Sequence, residues 1–434
     1  MNTKCYLFFL FIALSSFLFS PVIAQEADQR IGDLINQCDW FRLQEEYPGL
    51  SDKAQNVPLK KLAEVMIGAY FNRSQKAIDT IDDLLANHQD FLGFDNSCNL
   101  IALRDKLVGE QGRYAESADH LFAFLNQVDA IVSRKQFPGH QQLADYYNEI
   151  RNLPAPSVTR PGVDTEVPLT VEKAGRGVLM FVPVKVNGKD YRFIFDTGAA
   201  STFLSSRMAE EMGVHIVRDS VLIQGVMATE KGKSGWIDSM TIGNSTFRNA
   251  LVTIANPNAA VDTIYQVDAV LGMDFIGRMG EVVIYPKAGK LVFPVLKSSL
   301  PETGRNLWLY DSALCLRATS GDEPLRFGFD TGDARASLFK VYYNRHKNEI
   351  DKSAVKDTIT SGGFGGVSRQ EVLRLKSLPL QVGTNCFEIP DIQVEPENTQ
   401  LQISRGDDGS LGMDFIKLFD KVVISLDEMF VEVR

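Results

Sequence analysis

The sequence predicts a multidomain chain: an N-terminal α-helical domain, then two all-β lobes that form an intramolecular pseudo-dimer. Three observations predict it. Apolar residues recur at helical spacing through residues 25–152, and the rhythm then changes to strands and tight turns. The strand-rich region contains a single unit twice over. Asp196-Thr197-Gly198 recurs as Asp330-Thr331-Gly332, and a Leu-Gly-Met-Asp-Phe-Ile run follows each, at Leu271–Ile276 and Leu411–Ile416. From triplet Asp to signature Gly is 76 residues in the first copy and 82 in the second. Val282-Val283-Ile284 also returns as Val422-Val423-Ile424, at the same 140-residue offset as the signature.

Residues 1–24 read as a signal peptide. Lys4 precedes an apolar core from Tyr6 to Phe19, and Val22-Ile23-Ala24 before Gln25 fits a small-residue cleavage site. The core is short for a spanning helix and is interrupted by Ser15, Ser16, Ser20 and Pro21. An uncleaved anchor is the alternative. No second apolar stretch of spanning length follows, so the expectation is a protein without a membrane span after cleavage, periplasmic or secreted. Composition agrees with folded domains: 434 residues suffice for two or three, and a 44% hydrophobic share supplies their cores. The net charge is −10, and no run of Lys and Arg interleaved with aromatics appears, which argues against nucleic acid as a partner.

In the helical region, 25–152, Leu59, Leu62, Met66 and Tyr70 fall on one helical face, as do Ile78, Ile81, Leu84 and Leu85. A further pair runs through Leu100, Leu103 and Leu107, then Tyr114, Ala118, Leu121 and Leu125. The turn Gln111-Gly112-Arg113-Tyr114, opening a helix that carries Ala115 and Ala118, resembles the second helix of a tetratricopeptide unit. The resemblance covers about two helix pairs. It implies a groove that docks a protein partner; a helical cap on the rest of the chain is the other reading. Four cysteines follow the leader. Cys38 and Cys98 share the helical region and Cys315 and Cys386 the second repeat, so disulfides are expected within domains, with buried reduced thiols the alternative.

Residues 153–165, with Pro154, Pro156 and Pro161, read as a linker. Lobe 1 spans 166–296, a second linker 297–304, and lobe 2 spans 305–434. Val182–Val186, Asn187-Gly188 and Tyr191–Phe195 make a hairpin with a two-residue turn that leads into Asp196. Leu325–Phe329 leads into Asp330 in the same way. Gly225, 29 residues past Asp196, and Gly363-Phe364 in the matching region of lobe 2 read as flap tips over a substrate, with ordinary hairpin loops as the alternative. The six extra residues of lobe 2 are placed between triplet and signature, in Val341–Ile350.

Two carboxylates from two copies of one unit suggest a shared pair. Facing carboxylates resist joint ionisation and hold one proton between them, so one accepts a proton from water while the other donates to a carbonyl oxygen. Gly198 and Gly332 let the backbone turn sharply and leave room for a ligand backbone. Thr197 and Thr331 can hydrogen-bond across to the opposite lobe. Phe195–Ala199 with Val270-Leu271-Gly272, and Phe329–Gly332 with Leu411-Gly412, resemble the retropepsin-like aspartic peptidases, a group found in bacteria as well as retroviruses. The resemblance covers roughly 166–434. It implies two retropepsin- or pepsin-like lobes, a polypeptide substrate, no cofactor or metal, and Asp196 and Asp330 as the catalytic pair. It also implies that the two hydrophobics and Gly of each signature lie beneath the catalytic loop. Retroviral members build one site from two subunits; here one chain supplies both halves, so a monomer with an internal pseudo-two-fold is expected.

Other chemistries lack their residues. The five histidines are scattered without metal-ligand spacing, and Gly232-Lys233-Ser234 has Met227 where a phosphate loop needs Gly. No Gly-x-Ser-x-Gly nucleophile elbow exists. Two function classes stand. One is an exported aspartic endopeptidase, a hydrolase; the other is a catalytically weak or inactive peptidase-like peptide-binding protein. Both aspartates favour the enzyme. Asp333, where the family usually has Ala or Ser, and Ser410, where it usually has an apolar residue, keep the second alive. Asp333 either raises the pKa values of the pair or turns away to Arg335.

Overall fold

The computed structural model describes residues 22–174, 177–224, 229–255, 267–310, 312–363, 366–397 and 406–434. The chain divides into two compact units, Met1–Ala155 and Pro156–Arg434. Among the described residues no helix is long and apolar enough to cross a membrane.

The first unit is helical. Its helices are Val22–Asn36, Trp40–Ser51, Val57–Tyr70, Ser74–Asn87, Gln89–Glu110, Tyr114–Asp129 and Pro138–Glu149. Asn56 caps the third by accepting the Leu59 backbone N–H, with Pro58 in the first turn, where a missing N–H costs nothing. Leu59, Leu62, Met66, Ile78, Ile81, Leu84, Leu100, Leu121 and Leu125 are all buried. Phe71-Asn72-Arg73 and Gln111-Gly112-Arg113 make the same turn between helices. In each the middle residue is left-handed, with φ 55° at Asn72 and 84° at Gly112. In each the Arg N–H reaches the carbonyl five residues back, Arg73 to Gly68 at 2.7 Å and Arg113 to Val108 at 3.3 Å. Gly68 allows close packing there, since a Cβ on it would stand 3.0 Å from the Ala77 Cβ.

The second unit is β-rich and holds both repeats. In lobe 1, strand Ala269–Leu271 runs parallel to Lys189–Phe195 and antiparallel to Phe203–Leu204. In lobe 2, Gly409–Leu411 runs parallel to Glu323–Phe329 and antiparallel to Ser337–Leu338. A third sheet takes strands from both repeats, and its centre is the Val-Val-Ile repeat paired with itself. Val283 faces Val423, with Val282 opposite Ile424 and Ile284 opposite Val422. The same residues thus serve as both sides of one antiparallel seam. The signature phenylalanines fill the lobe cores. Phe275 packs against Phe247 and Phe293, and Phe415 against Phe329 and Phe387.

Several elements depart from the sequence reading. The Pro-rich stretch 153–165 carries strand Ser157–Thr159, paired with Ser245–Ile254, and Arg160 donates to the carbonyls of Met279, Phe293 and Pro294. From Pro156 onward it is bound into the β-rich unit instead of running free. All four cysteines are free thiols, so the within-domain disulfides do not form. Cys98 is buried in its helix, which pushes its thiol up to about 11. In the other pair Cys315 is buried beside Asp407 while Cys386 is exposed against Gln381. The extra length of lobe 2, by contrast, lies where the sequence places it, in helix Lys340–Ser353, which has 14 residues where its counterpart Ser206–Met212 has 7.

Candidate active site

Each Asp-Thr-Gly lies at the end of a core strand whose neighbour is the parallel signature strand. Asp196 N–H donates to the Leu271 carbonyl and Asp330 N–H to that of Leu411, both at 3.1 Å. The signature glycines sit beneath these loops because nothing larger fits. A Cβ on Gly272 would stand 2.5 Å from the Ser201 carbonyl carbon, and one on Gly412 2.4 Å from the Asp333 oxygen. The backbone closes the crossing, Met273 N–H to the Ala199 carbonyl and Met413 N–H to that of Asp333, each at 2.8 Å.

The two loops meet through their threonines. Thr197 N–H donates to Thr331 Oγ at 3.0 Å, and Thr331 N–H to Thr197 Oγ at 3.0 Å. Each hydroxyl then donates onward to the opposite strand, Thr197 to the Phe329 carbonyl at 2.9 Å and Thr331 to that of Phe195 at 2.8 Å. Both threonines are fully buried. Four reciprocal bonds between buried groups therefore fix the distance between the loops.

This cradle brings the carboxyls face to face. Asp196 Oδ1 accepts the N–H groups of Gly198 at 2.7 Å and Ala199 at 3.0 Å, and Asp330 Oδ1 accepts that of Gly332 at 2.8 Å. The glycines are demanded by the opposite carboxyl. A Cβ on Gly198 would lie 2.3 Å from Asp330 Oδ2, and one on Gly332 2.3 Å from Asp196 Oδ2. The space that the sequence reading reserved for ligand backbone is thus taken by the facing acid. Burial, then the charge of Asp330 and a hydrogen bond to it, pushes the Asp196 carboxyl well above the usual range, against the pull of the Gly198 and Ala199 N–H groups.

Asp333 is half-buried beside this pair and does not form the side-chain pair with Arg335. Its Oδ1 accepts only the Arg335 backbone N–H, at 3.1 Å, while the guanidinium turns to Asp391. Gly363 closes the lobe 2 hairpin Val355–Val382 opposite Gly366, and the lobe 1 hairpin His215–Ile242 reaches Gln224 opposite Thr229. Gly225 and Phe364, read from the sequence as flap tips, lie outside the described residues. Among the described residues no cluster of His, Cys, Asp and Glu is arranged to hold a metal ion.

The signature acids Asp274 and Asp414 received no role from the sequence, although their recurrence marked them. Asp274 accepts the Thr202 N–H at 3.0 Å, the Thr202 hydroxyl at 2.8 Å and the Phe275 N–H at 2.9 Å. Asp414 accepts the Ala336 N–H at 2.6 Å and the Phe415 N–H at 2.9 Å. Thr202 and Ala336 each lie six residues past a triplet Asp, so these carboxyls pin the far ends of the two loops. Burial raises Asp274 to about 6 despite those donors.

Residues 182–278 match the family described as "gag-polyprotein putative aspartyl protease". The match takes in the first triplet and the first signature; the second repeat lies beyond it. A comparison with curated proteins found no match. Among solved structures, an aspartic proteinase from Irpex lacteus is similar at 16% identity, over 62% of this chain and 96% of that one, with a TM-score of 0.41.

Proposed function

We propose that this chain is an exported aspartic endopeptidase whose two lobes form an intramolecular pseudo-dimer, with Asp196 and Asp330 as its catalytic pair. The reciprocal threonine cradle carries the reading, because its bonds run between two copies of one unit and set their carboxyls face to face. The similarity of residues 182–278 to an aspartyl protease family supports it. The pair holds one proton. The ionised carboxyl takes a proton from a water held between the two, and the water oxygen bonds to the peptide carbonyl carbon while the protonated carboxyl gives its proton to the carbonyl oxygen. The tetrahedral intermediate then breaks its C–N bond: one carboxyl gives its proton to the leaving nitrogen while a hydroxyl of the intermediate gives its proton to the other, which restores the single proton of the pair. The hairpins above each lobe would cover an extended polypeptide. Export rests on the leader-like residues 1–24. The repeated turn and small-residue contact between helices of the first unit support a tetratricopeptide-like region there.

Incubation of the purified chain with denatured protein at acidic pH, with and without pepstatin, tests this. Pepstatin-sensitive cleavage by a species that sediments as a monomer is expected. Binding of the substrate without cleavage at any pH would replace the enzyme with the peptide-binding reading.

A further inference from the structure

The repeats differ in one contact beside the carboxyl pair. In lobe 1 Ala199, three residues past Asp196, packs against the apolar cluster containing Val270, two residues before Gly272. In lobe 2 the same positions hold Asp333 and Ser410, and the Ser410 hydroxyl donates to Asp333 Oδ2 at 3.3 Å. Both positions are apolar in lobe 1 and polar in lobe 2. With Arg335 N–H on Oδ1, each oxygen of Asp333 has a neutral donor, and the adjacent guanidinium is engaged at Asp391.

The charges that push the Asp333 carboxyl up are acidic. They are Asp330 from its own loop, Asp414 from helix Met413–Ile416, and Glu395 just past strand Asn385–Val394. Taking Asp196 and Asp330 as the catalytic pair, we propose that Asp333, held by Ser410, is a positioning residue that makes the site a cluster of three carboxyls and moves the pH range of cleavage upward. Three adjoining carboxyls cannot all ionise at once, so the last proton leaves at a higher pH than it would from two. Burial first, then Asp330, pushes the Asp333 carboxyl well above the usual range, against the pull of the Arg335 N–H, in keeping with that sharing.

The test compares wild type with Asp333→Asn and with the double variant Asp333→Ala/Ser410→Val, which copies the lobe 1 contact. The basic limb of the kcat/KM profile should fall by about one pH unit in both, a roughly tenfold loss at a fixed pH on that limb. Thermal unfolding without substrate gives an independent reading. A raised carboxyl holds its proton longer in the folded chain, so its contribution to wild-type stability declines as pH rises from about 4 through the raised value. The melting temperature of Asp333→Asn should therefore climb relative to wild type as pH rises. A carboxylate kept only to accept two hydrogen bonds gives the opposite trend. Coincident pH limbs in active variants, or that opposite trend, overturn the proposal. If neither wild type nor the variants cleave at any pH, the endopeptidase reading fails; in that case, or if only wild type cleaves, the unfolding comparison decides whether Asp333 belongs to a proton-sharing cluster.

Discussion

Thr331→Val probes the link between the lobes with little change of shape. Valine fills the same volume, yet it removes the acceptor for the Thr197 N–H and the donor to the Phe195 carbonyl, two contacts of 3.0 and 2.8 Å. Both groups lie where water does not reach, with Thr197 and Thr331 fully buried. Leaving a buried polar group without its partner costs about 1–3 kcal/mol, so the pair amounts to about 2–6 kcal/mol. That is a large fraction of the roughly 5–15 kcal/mol by which a domain is typically stable. Thr331→Ser keeps both bonds and loses one buried methyl, about 1 kcal/mol. Urea unfolding of the three proteins, with kcat/KM measured alongside, should rank Ser near wild type and Val far below in both stability and turnover. Equal unfolding midpoints for Val and Ser would show that the hydroxyl bonds do not hold the loops together.

Two further predictions concern the carboxyls. Gly198→Ala places a methyl 2.3 Å from Asp330 Oδ2 and must push that carboxyl aside, so kcat should fall about a hundredfold while circular dichroism stays native; an unchanged kcat would mean the two acids do not face each other during turnover. For Asp274, raised to about 6 in the folded chain, the sign is that of a carboxyl that binds its proton more tightly when folded. Its contribution to stability is greatest below about pH 4 and is lost as pH rises to about 6, roughly 2–3 kcal/mol in all. Unfolding of Asp274→Asn across pH 4–7 should lack that decline; an identical decline in both proteins would assign it to other groups.

The features of the fold that were legible are those the repeat itself specifies. Two copies of Leu-Gly-Met-Asp-Phe-Ile at fixed distance from two Asp-Thr-Gly turns locate both strand crossings, and the helical apolar periodicity of Leu59, Leu62 and Met66 locates a buried face. What was not legible depends on strand register. Nothing in the local sequence says that Val282–Ile284 pairs with its own repeat, or that Ser410 meets Asp333 across 77 residues. Nor does it say that Arg335 turns to Asp391, since a neighbour in sequence competes with every acid the sheet brings near. The prolines of 153–165 suggested a linker, but Pro161 sits between a short strand and the strand Thr165–Pro168, where a missing N–H is tolerated. The cysteine pairing failed for a simpler reason: position in the chain places each pair in one domain without saying which way the side chains face.

Separate Asp196→Asn and Asp330→Asn substitutions test whether the two carboxyls act as one catalytic unit. Hydrolysis of a denatured protein should be pepstatin-sensitive in wild type and lost in each single variant. Each variant should keep native circular dichroism, since Asn preserves the Oδ1 acceptor that the loop N–H groups use. Substantial turnover by either folded variant would contradict the shared carboxyl pair.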